Sequence, residues 1–486
     1  MRPTQTLIAI AAALACQLAP AQTDAGALRE VVQRAIDTNP EVTARLNALR
    51  ASTDAVDVAR GGWYPHLNLD ASSGRVDDDI TSRKPPVQNY SVSGASLSLN
   101  QLIWDGLATY KDVTRLGHDK LARYFELQDI TEQTALEAVR AHQDVARFRE
   151  LVLLAEDNYV QHRYLYGQLG SRYKAGVGRG VDLEQAAARL ALAESNLTTE
   201  TANLHDVTAR YLRVVGSQPP NPGAPVELMV MTLPTNAEDA ITVALRDNAA
   251  ISASIENLRS ARANSQTKES AFQPRVEARL RSGTGHNFDT VIDQKRYTSG
   301  EVVLNWNLFN GGSDQARVRQ SVNQLNQAAD QRDKACRDTR QNAGIAYNDT
   351  RKQVEQIGAL ERNVAAIGKT REGYRQQFEI GQRSLLDLLN SEDEYYSAKR
   401  QLANAKADLR IAQARTLATM QRLVVQLGLL RAPTGVDDSA WNAGEDGAER
   451  CPATVAAVST TPRAELDARA EKLIQAAPPL APRKAP

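Results

Sequence analysis

Few side chains in this sequence have the types and spacing that catalysis or metal binding needs. The six histidines are scattered, and neither the H-E-x-x-H zinc pattern nor the G-x-S-x-G nucleophile pattern occurs. The glycine-rich run 176–180 lacks the Lys-Ser/Thr pair of a phosphate-binding loop. The three cysteines have no zinc spacing. We therefore predict no catalytic residue, no metal site and no cofactor in a protein that is not an enzyme.

The polar pattern that does recur is a carboxylate six residues after a glycine. Asp182 follows Gly176 in this way, and Asp387 follows Gly381. Each aspartate opens a helical tract after a glycine-containing break, so helix capping is one role for both. The glycines fit turn positions with positive φ. Arg383 fits a solvated charge.

These segments belong to a tandem repeat. Residues 98–106 match 303–311, and residues 174–183 match 379–388, both at an offset of 205 residues. We predict five parts: a signal peptide at 1–21, a first repeat at 22–216, a proline-rich linker at 217–234, a second repeat at 235–430 and a disordered tail at 431–486.

Long helices are expected where prolines are missing, between Pro86 and Pro219 and between Pro274 and Pro433. A proline inside a helix costs about 3 kcal/mol, so these tracts predict very long helices. The tract 107–175 would span ~100 Å. Heptads of Leu183, Leu190, Leu197 and Leu204, with alanines between them, predict coiled-coil packing of the return helix. Single amphipathic helices are expected at about 26–60 and 235–271.

Each half also contains two strand segments in which apolar and polar residues alternate. They lie at 66–71 and 95–100, and at 276–281 and 302–308. A sheet built from such strands has one apolar face and one polar face in contact with water. This arrangement fits a transmembrane barrel, and also a soluble sheet packed on a helix. Aromatic residues cluster near the strand ends, where a membrane interface would lie: Trp63, Tyr64, Trp104, Trp306 and Phe309. Four strands cannot close a barrel, so a membrane barrel would need several chains.

Composition and the N-terminus limit the location and partners. Lys+Arg and Asp+Glu are both 58, which argues against a nucleic-acid partner. The mean hydropathy of −0.44 argues against membrane-spanning helices. Cleavage after Ala21 would remove Cys16, whereas a lipoprotein would keep Cys16 as its first residue. A disulfide between Cys336 and Cys451 would suit an oxidising compartment, but two separate free thiols are expected.

Strand hairpins, Asn/Asp-Gly turns, very long helices and a tandem repeat in one exported chain resemble the TolC family of outer-membrane channel proteins. The most specific segment is 378–390, which resembles the second periplasmic tip of that family, and 173–182 resembles the first. The resemblance implies a mainly α protomer with a small transmembrane β part. It also implies a homotrimer with a twelve-stranded barrel in outer-membrane lipid and an α-helical periplasmic tunnel.

The resemblance also implies roles for residues at the tips. Asp182, Arg383 and Asp387 would form the periplasmic gate, with Arg383 as a latch to the Asp182 region of a neighbouring chain. Asp387 would form a threefold anionic ring. A second acidic ring of some members is replaced by Asn390, and a tyrosine by Phe378. Adaptor hairpins would dock at Gly176 and Gly381.

The sequence is compatible with three functions. The first is the outer-membrane exit channel of a type I secretion system, working with a periplasmic adaptor and an inner-membrane ABC transporter. The second is the outer-membrane duct of a tripartite drug or metal efflux pump. The third is a soluble periplasmic coiled-coil scaffold, against which the alternating strands and their aromatic ends argue.

Overall fold

The computed structural model describes residues 24–220, 233–429 and 451–476. The predicted signal peptide with Cys16, most of the linker and parts of the tail lie outside these ranges. Besides three 3-10 turns at Gly61–Trp63, Ser270–Phe272 and Phe288–Thr290, the α-helices and β-strands are, in chain order, α1 (Asp24–Thr38), α2 (Pro40–Arg60), β1 (His66–Asp79), β2 (Val87–Trp104), α3 (Ala108–Lys174), α4 (Gly180–Val215), α5 (Ala237–Asp247), α6 (Ala249–Glu269), β3 (Arg275–His286), β4 (Arg296–Asn305), α7 (Ser313–Glu379), α8 (Leu385–Thr419), α9 (Leu423–Gln426) and α10 (Arg463–Ala476).

The two outgoing helices dominate the molecule. Helices α3 and α7 each contain 67 residues, which corresponds to ~100 Å. The predicted helix at 107–175 is confirmed, as is the repeat of two long hairpins. No helix in the described ranges combines the length and apolar character that a bilayer crossing requires.

The return helix α4 packs on α3 through small residues. Ala186, Ala193 and Val207 are buried at heptad spacing, so the two backbones can approach closely. The leucine heptad that begins at Leu183 is only half-buried in the protomer. The apolar surface of α4 is therefore wider than its contact with α3 uses.

The predicted single helices before the strands are wrong, because each region forms two helices. Asn39 caps α2 by accepting a hydrogen bond from the Glu41 amide, and Pro40 occupies the first helical position, where its missing N–H costs little. Asn248 caps α6 in the same way, accepting from the amides of Ala250 and Ile251. An asparagine at the equivalent position of each repeat thus ends one helix and starts the next.

The four strands form one antiparallel sheet in the order β1-β2-β3-β4. Pairing of β2 with β3 joins the two repeats. The strands extend beyond the predicted segments toward the loops that join them, which are 80–86 and 287–295, whereas β4 ends at Asn305 and not at residue 308. The extra residues are polar, such as Asp77 opposite Asn89, so hydrophobic alternation did not reveal them.

The sheet has one apolar and one polar face. Leu69 pairs with Leu97, and Leu99 with Leu280, on one face. The residues between them are polar and lie on the other face, as the pair Ser98 and Arg281 illustrates. The predicted alternation is confirmed, and both faces of the protomer sheet are largely solvent-accessible.

The largest buried core lies where the short helices pack on the middle of the long ones. Its buried members include Leu28, Ala138, Tyr211, Ile241, Leu245 and Leu417. Cys336 of α7 and Cys451 form a disulfide inside this core, with Cα atoms 5.5 Å apart. The expectation of two free thiols is wrong, because residue 451 lies against the helices rather than in a loose segment. The tail also contains α10, whose side chains are all exposed.

Candidate functional site at the hairpin tips

The two hairpin tips have the same backbone geometry. Gly176 has φ +75° after α3, and Gly381 has φ +78° after α7. The Val177 amide donates to the carbonyl of Arg172 at 3.1 Å, and the Gln382 amide donates to that of Gln377 at 2.8 Å. This pattern closes a helix C-terminus around a left-handed residue, for which glycine is preferred. Both glycines are therefore turn residues, as predicted.

The tip aspartates occupy the first turn of each return helix rather than the capping position. Asp182 is the third residue of α4, and Asp387 the third of α8. The cap of α8 is Ser384, whose Oγ accepts from the Asp387 amide at 3.2 Å. The residue at the capping position of α4 is Arg179, which makes no side-chain cap, so capping, one of the roles open to these aspartates, is wrong for both. Both instead place negative charge near the positive end of the helix dipole.

Arg383 is held within its own tip. Its Nη1 lies 3.4 Å from Asp387 Oδ2, and its Nε donates to Gln377 Oε1 at 3.1 Å. The guanidinium also lies 4.5 Å from the centre of the Tyr374 ring. Within the protomer Arg383 therefore pairs with Asp387, and a contact with Asp182 would have to come from another chain.

Apolar side chains join the two tips. Leu165, Leu169 and Ala186 of the first hairpin are buried against Leu385, Leu388 and Leu389 of the second. Phe378 packs on this cluster, and the guanidinium of Arg172 lies 5.4 Å from its ring centre. The cluster fixes the position of one tip relative to the other. It therefore also fixes the positions of the charged tip residues Asp182, Arg383 and Asp387.

A polar network beside this cluster also links the hairpins, and sequence analysis missed most of it. Arg189 of α4 lies 2.8 Å from Asp393 Oδ2 and donates to Asn390 Oδ1 at 2.9 Å. His162 of α3, whose side chain is 0% exposed, places Nε2 3.1 Å from Asp393 Oδ1. Asn390, expected at the pore, is thus a hydrogen-bond acceptor between helices. We call these four residues the inter-hairpin network.

Further polar ties follow along the same interface. Arg375 of α7 donates to Gln161 of α3 at 2.7 Å and to the buried Glu392 at 3.2 Å. Glu200 of α4, 2% exposed, accepts from Arg400 of α8 at 2.7 Å. Burial raises the pKa of Tyr396 beside this pair, and the negative charge of Glu200 adds to the shift. In both pairs the carboxylate is buried and the arginine is partly exposed, so loss of the arginine would leave a buried charge without its partner.

The aromatic residues lie together at one end of the sheet. Because the strands are antiparallel, these residues all lie at the end of the sheet that is nearest the helices. Trp63 and Tyr64 precede β1, Trp104 ends β2, and Trp306 and Phe309 follow β4. All five are exposed. The indole N–H of Trp306 donates to the carbonyl of Phe272 at 3.1 Å. In the ranges that the structure describes, no group of three or more His, Cys, Asp or Glu residues could hold a metal ion.

Comparisons with known proteins agree with this architecture. The family model "Outer membrane efflux protein" matches residues 31–216 and 240–420. The outer membrane efflux protein BepC of Brucella suis is 26% identical over 419 residues, covering 84% of this chain and 89% of the relative. The alkaline protease secretion protein AprF of Pseudomonas aeruginosa is 23% identical, covering 78% of this chain and 81% of the relative. The solved outer-membrane channel OprN superposes with a TM-score of 0.73 at 19% identity, covering 81% of this chain and 90% of OprN.

Proposed function

Because the chain belongs to the outer membrane efflux protein family, we propose that it is the outer-membrane exit channel of a type I secretion system. It would take its substrate from an inner-membrane ABC transporter through a periplasmic adaptor. The two-faced sheet joined to ~100 Å hairpins is the observation that carries the channel role. The name of AprF, a protease secretion protein, supports the secretion branch.

The protomer must associate with copies of itself for this role. Strands β1 and β4 each pair on one side only within the described sheet, and lipid does not tolerate unpaired strand edges. We infer a homotrimer in which three sheets close a twelve-stranded barrel. The apolar face that carries Leu69 and Leu97 would meet lipid, and the polar face that carries Ser98 and Arg281 would line the pore.

The hairpin tips would form the periplasmic gate. Asp387 would contribute one carboxylate per chain to an anionic ring, and the pairing of Arg383 with Asp387 would reduce the free negative charge of that ring. The exposed turns at Gly176 and Gly381 are the candidate docking points for the adaptor. Opening requires the two hairpins of a protomer to separate, so the inter-hairpin network would resist it.

A duct of a tripartite efflux pump is the second candidate, supported by the name of BepC. It shares the channel architecture and differs in the inner-membrane partner. A soluble periplasmic scaffold is the candidate from another class. The exposed apolar face of the sheet argues against it, because soluble proteins rarely expose a contiguous patch of that kind.

Membrane fractionation followed by electrophoresis with and without heating tests the channel proposal. We expect a heat-modifiable trimer in the outer-membrane fraction, and a soluble monomer in the periplasm would contradict both channel candidates. Deletion of the gene separates the two. Loss of an exported protein from the medium supports type I secretion, whereas unchanged export with increased drug or metal sensitivity supports the efflux duct.

A further inference from the structure

The loop between β3 and β4, residues 287–295, folds back onto the sheet instead of projecting from it. Phe288 is only 6% exposed, although most of the sheet around it is open to solvent. Its amide donates to the carbonyl of Gln294 at 2.8 Å, which closes the loop into a compact turn. A large apolar side chain is therefore buried at the end of the sheet furthest from the helices.

Glycines make the space that Phe288 occupies. A Cβ atom at Gly94 would lie 2.5 Å from the Phe288 ring, and one at Gly283 would also collide with the ring. Gly94 belongs to β2 and Gly283 to β3, and these strands are paired. Two adjacent strands thus lack side chains where the ring lies.

Polar contacts hold the loop in this position. Arg281 Nη1 lies 2.8 Å from Asp289 Oδ2, and the Arg281 guanidinium lies 5.9 Å from the Phe288 ring centre. Asn287 Nδ2 donates to the Ser91 carbonyl at 2.8 Å, and the Tyr90 hydroxyl is 2.9 Å from the Thr290 carbonyl oxygen. The contacts come from β2 and β3, so the loop spans both strands.

The loop backbone is strained. Asn287, Asp289, Thr290 and Asp293 all have positive φ, between 48° and 65°. Asparagine and aspartate tolerate this region, but a β-branched threonine there is unusual. Such strain persists only where the surrounding contacts over-determine the conformation, and it concentrates at functional positions.

The face on which the loop lies gives it a role. Gly94 pairs with Gly285, Ser96 with Gly283 and Ser98 with Arg281, so these positions share one face of the sheet. This is the polar face, opposite the face of Leu97 and Leu280. In the channel proposed above, the polar face lines the pore. The loop then occupies the pore near its outer mouth.

We propose that residues 287–295 form an outer constriction of the channel, in which Phe288 lies in the Gly94–Gly283 pocket and Arg281 holds Asp289, and that this constriction limits the size of what passes the outer mouth. The proposal rests on the channel function. Three copies of the loop would narrow the mouth in a trimer. Passage of a large substrate would require the ring to leave its glycine pocket.

Thiol labelling from outside the cell tests the constriction independently of the periplasmic gate. His66→Cys places a thiol on the polar face at the helix end of β1, opposite Asn100 and beyond the loop. The probe is a maleimide carrying a long polyethylene glycol chain, too large for general porins, applied to intact cells. We expect slow labelling of His66→Cys alone and several-fold faster labelling after Phe288→Ala.

Two further variants guard against misfolding. Gly283→Ala keeps Phe288 but fills its pocket, and it should also accelerate labelling. Val291→Ala changes an exposed apolar side chain of the same loop and should not. All variants must first form heat-modifiable trimers.

The outcomes separate this proposal from the channel function. Equal labelling rates with and without Phe288, whether fast or slow, would overturn the constriction. A thiol placed in the loop itself by Val291→Cys should react with the large reagent in every background. If it does not react, the loop does not reach the cell surface and the channel function itself fails.

Discussion

The guanidinium of Arg189 lies 2.8 Å from the carboxylate of Asp393, so a direct ion pair joins the first hairpin of the protomer to the second close to the tips. The other oxygen of the same carboxylate lies 3.1 Å from Nε2 of His162. An iris-like opening at the tips would separate these groups, whereas the Arg383–Asp387 pair lies within one helix start and could move as a unit.

Loss of the Arg189 side chain should favour opening. A partly exposed ion pair such as Arg189–Asp393 stabilises the closed state by up to about 1 kcal/mol. Its loss is enough to raise the population of an open state roughly fivefold. We expect Arg189→Ala to increase mean single-channel conductance in planar bilayers. Arg163→Ala is the matched control, because Arg163 stacks on Tyr166 of its own helix. Equal conductance of the two variants would exclude Arg189 from the gate.

The pair expected between chains needs a separate test. Arg383→Ala combined with Asp182→Ala should raise conductance if these residues meet across the trimer. Since Arg383 also contacts Asp387 in its own chain, the single variants must be measured as well, and a double-mutant cycle gives the coupling. If the double variant has the conductance of the wild type, the two residues do not hold the gate closed. If the effects of the single variants are strictly additive, the two residues are not coupled.

Asp387→Asn should weaken cation selectivity, because it removes one carboxylate per chain from the predicted ring. The reversal potential in a salt gradient measures this change, and an unaltered value would place Asp387 outside the pore.

The converse variant is Asn390→Asp. If Asn390 borders the pore, it should add a second ring and strengthen block by multivalent cations; loss of its bond from Arg189 would instead appear as higher conductance.

Reduction of the Cys336–Cys451 bond should destabilise the core that surrounds it. Both sulfurs are buried, and a disulfide that closes a long loop contributes about 2 to 4 kcal/mol. We expect a reductant to lower the melting temperature of the wild type and to leave that of Cys336→Ser with Cys451→Ser unchanged. An equal effect of the reductant on both proteins would show that the bond does not act in solution.

The core also contains a titratable group that should make stability depend on pH. Burial lowers the pKa of His142 below its ordinary value of 6.5, and the charge of Arg149 lowers it further. The unfolded chain then binds a proton that the folded chain does not, so stability falls as pH drops below the unfolded value. Melting should shift less between about pH 7 and about pH 5.5 in His142→Gln than in the wild type. An equal shift would assign the acid sensitivity to other groups.

Patterns that extend over many residues predicted the fold well. The long tracts without proline located α3 and α7, and the alternation of apolar and polar residues located all four strands and their two faces. Features set by single residues were harder to predict. The break at Asn39 leaves the helical pattern on both sides unchanged. The tail around Cys451 has no periodicity that would place it in the core.

The candidate site was predictable in its turns and not in its contacts. Glycine spacing gave Gly176 and Gly381, because a left-handed turn demands that residue. Arg189 and Asp393 escaped notice although they lie one residue away from equivalent positions of the two repeats. Opposite charges at nearly equivalent positions of two packed return helices are the signal that could have found them.

The disulfide has a topological effect in addition to its effect on stability. Cys336 lies partway along α7, and Cys451 lies beyond α9. The covalent ring that they close therefore contains the tip turn at Gly381 and the whole of α8. A protease that cuts this exposed turn breaks the main chain, but α8 and the residues after it stay covalently attached to α7 until the bond is reduced.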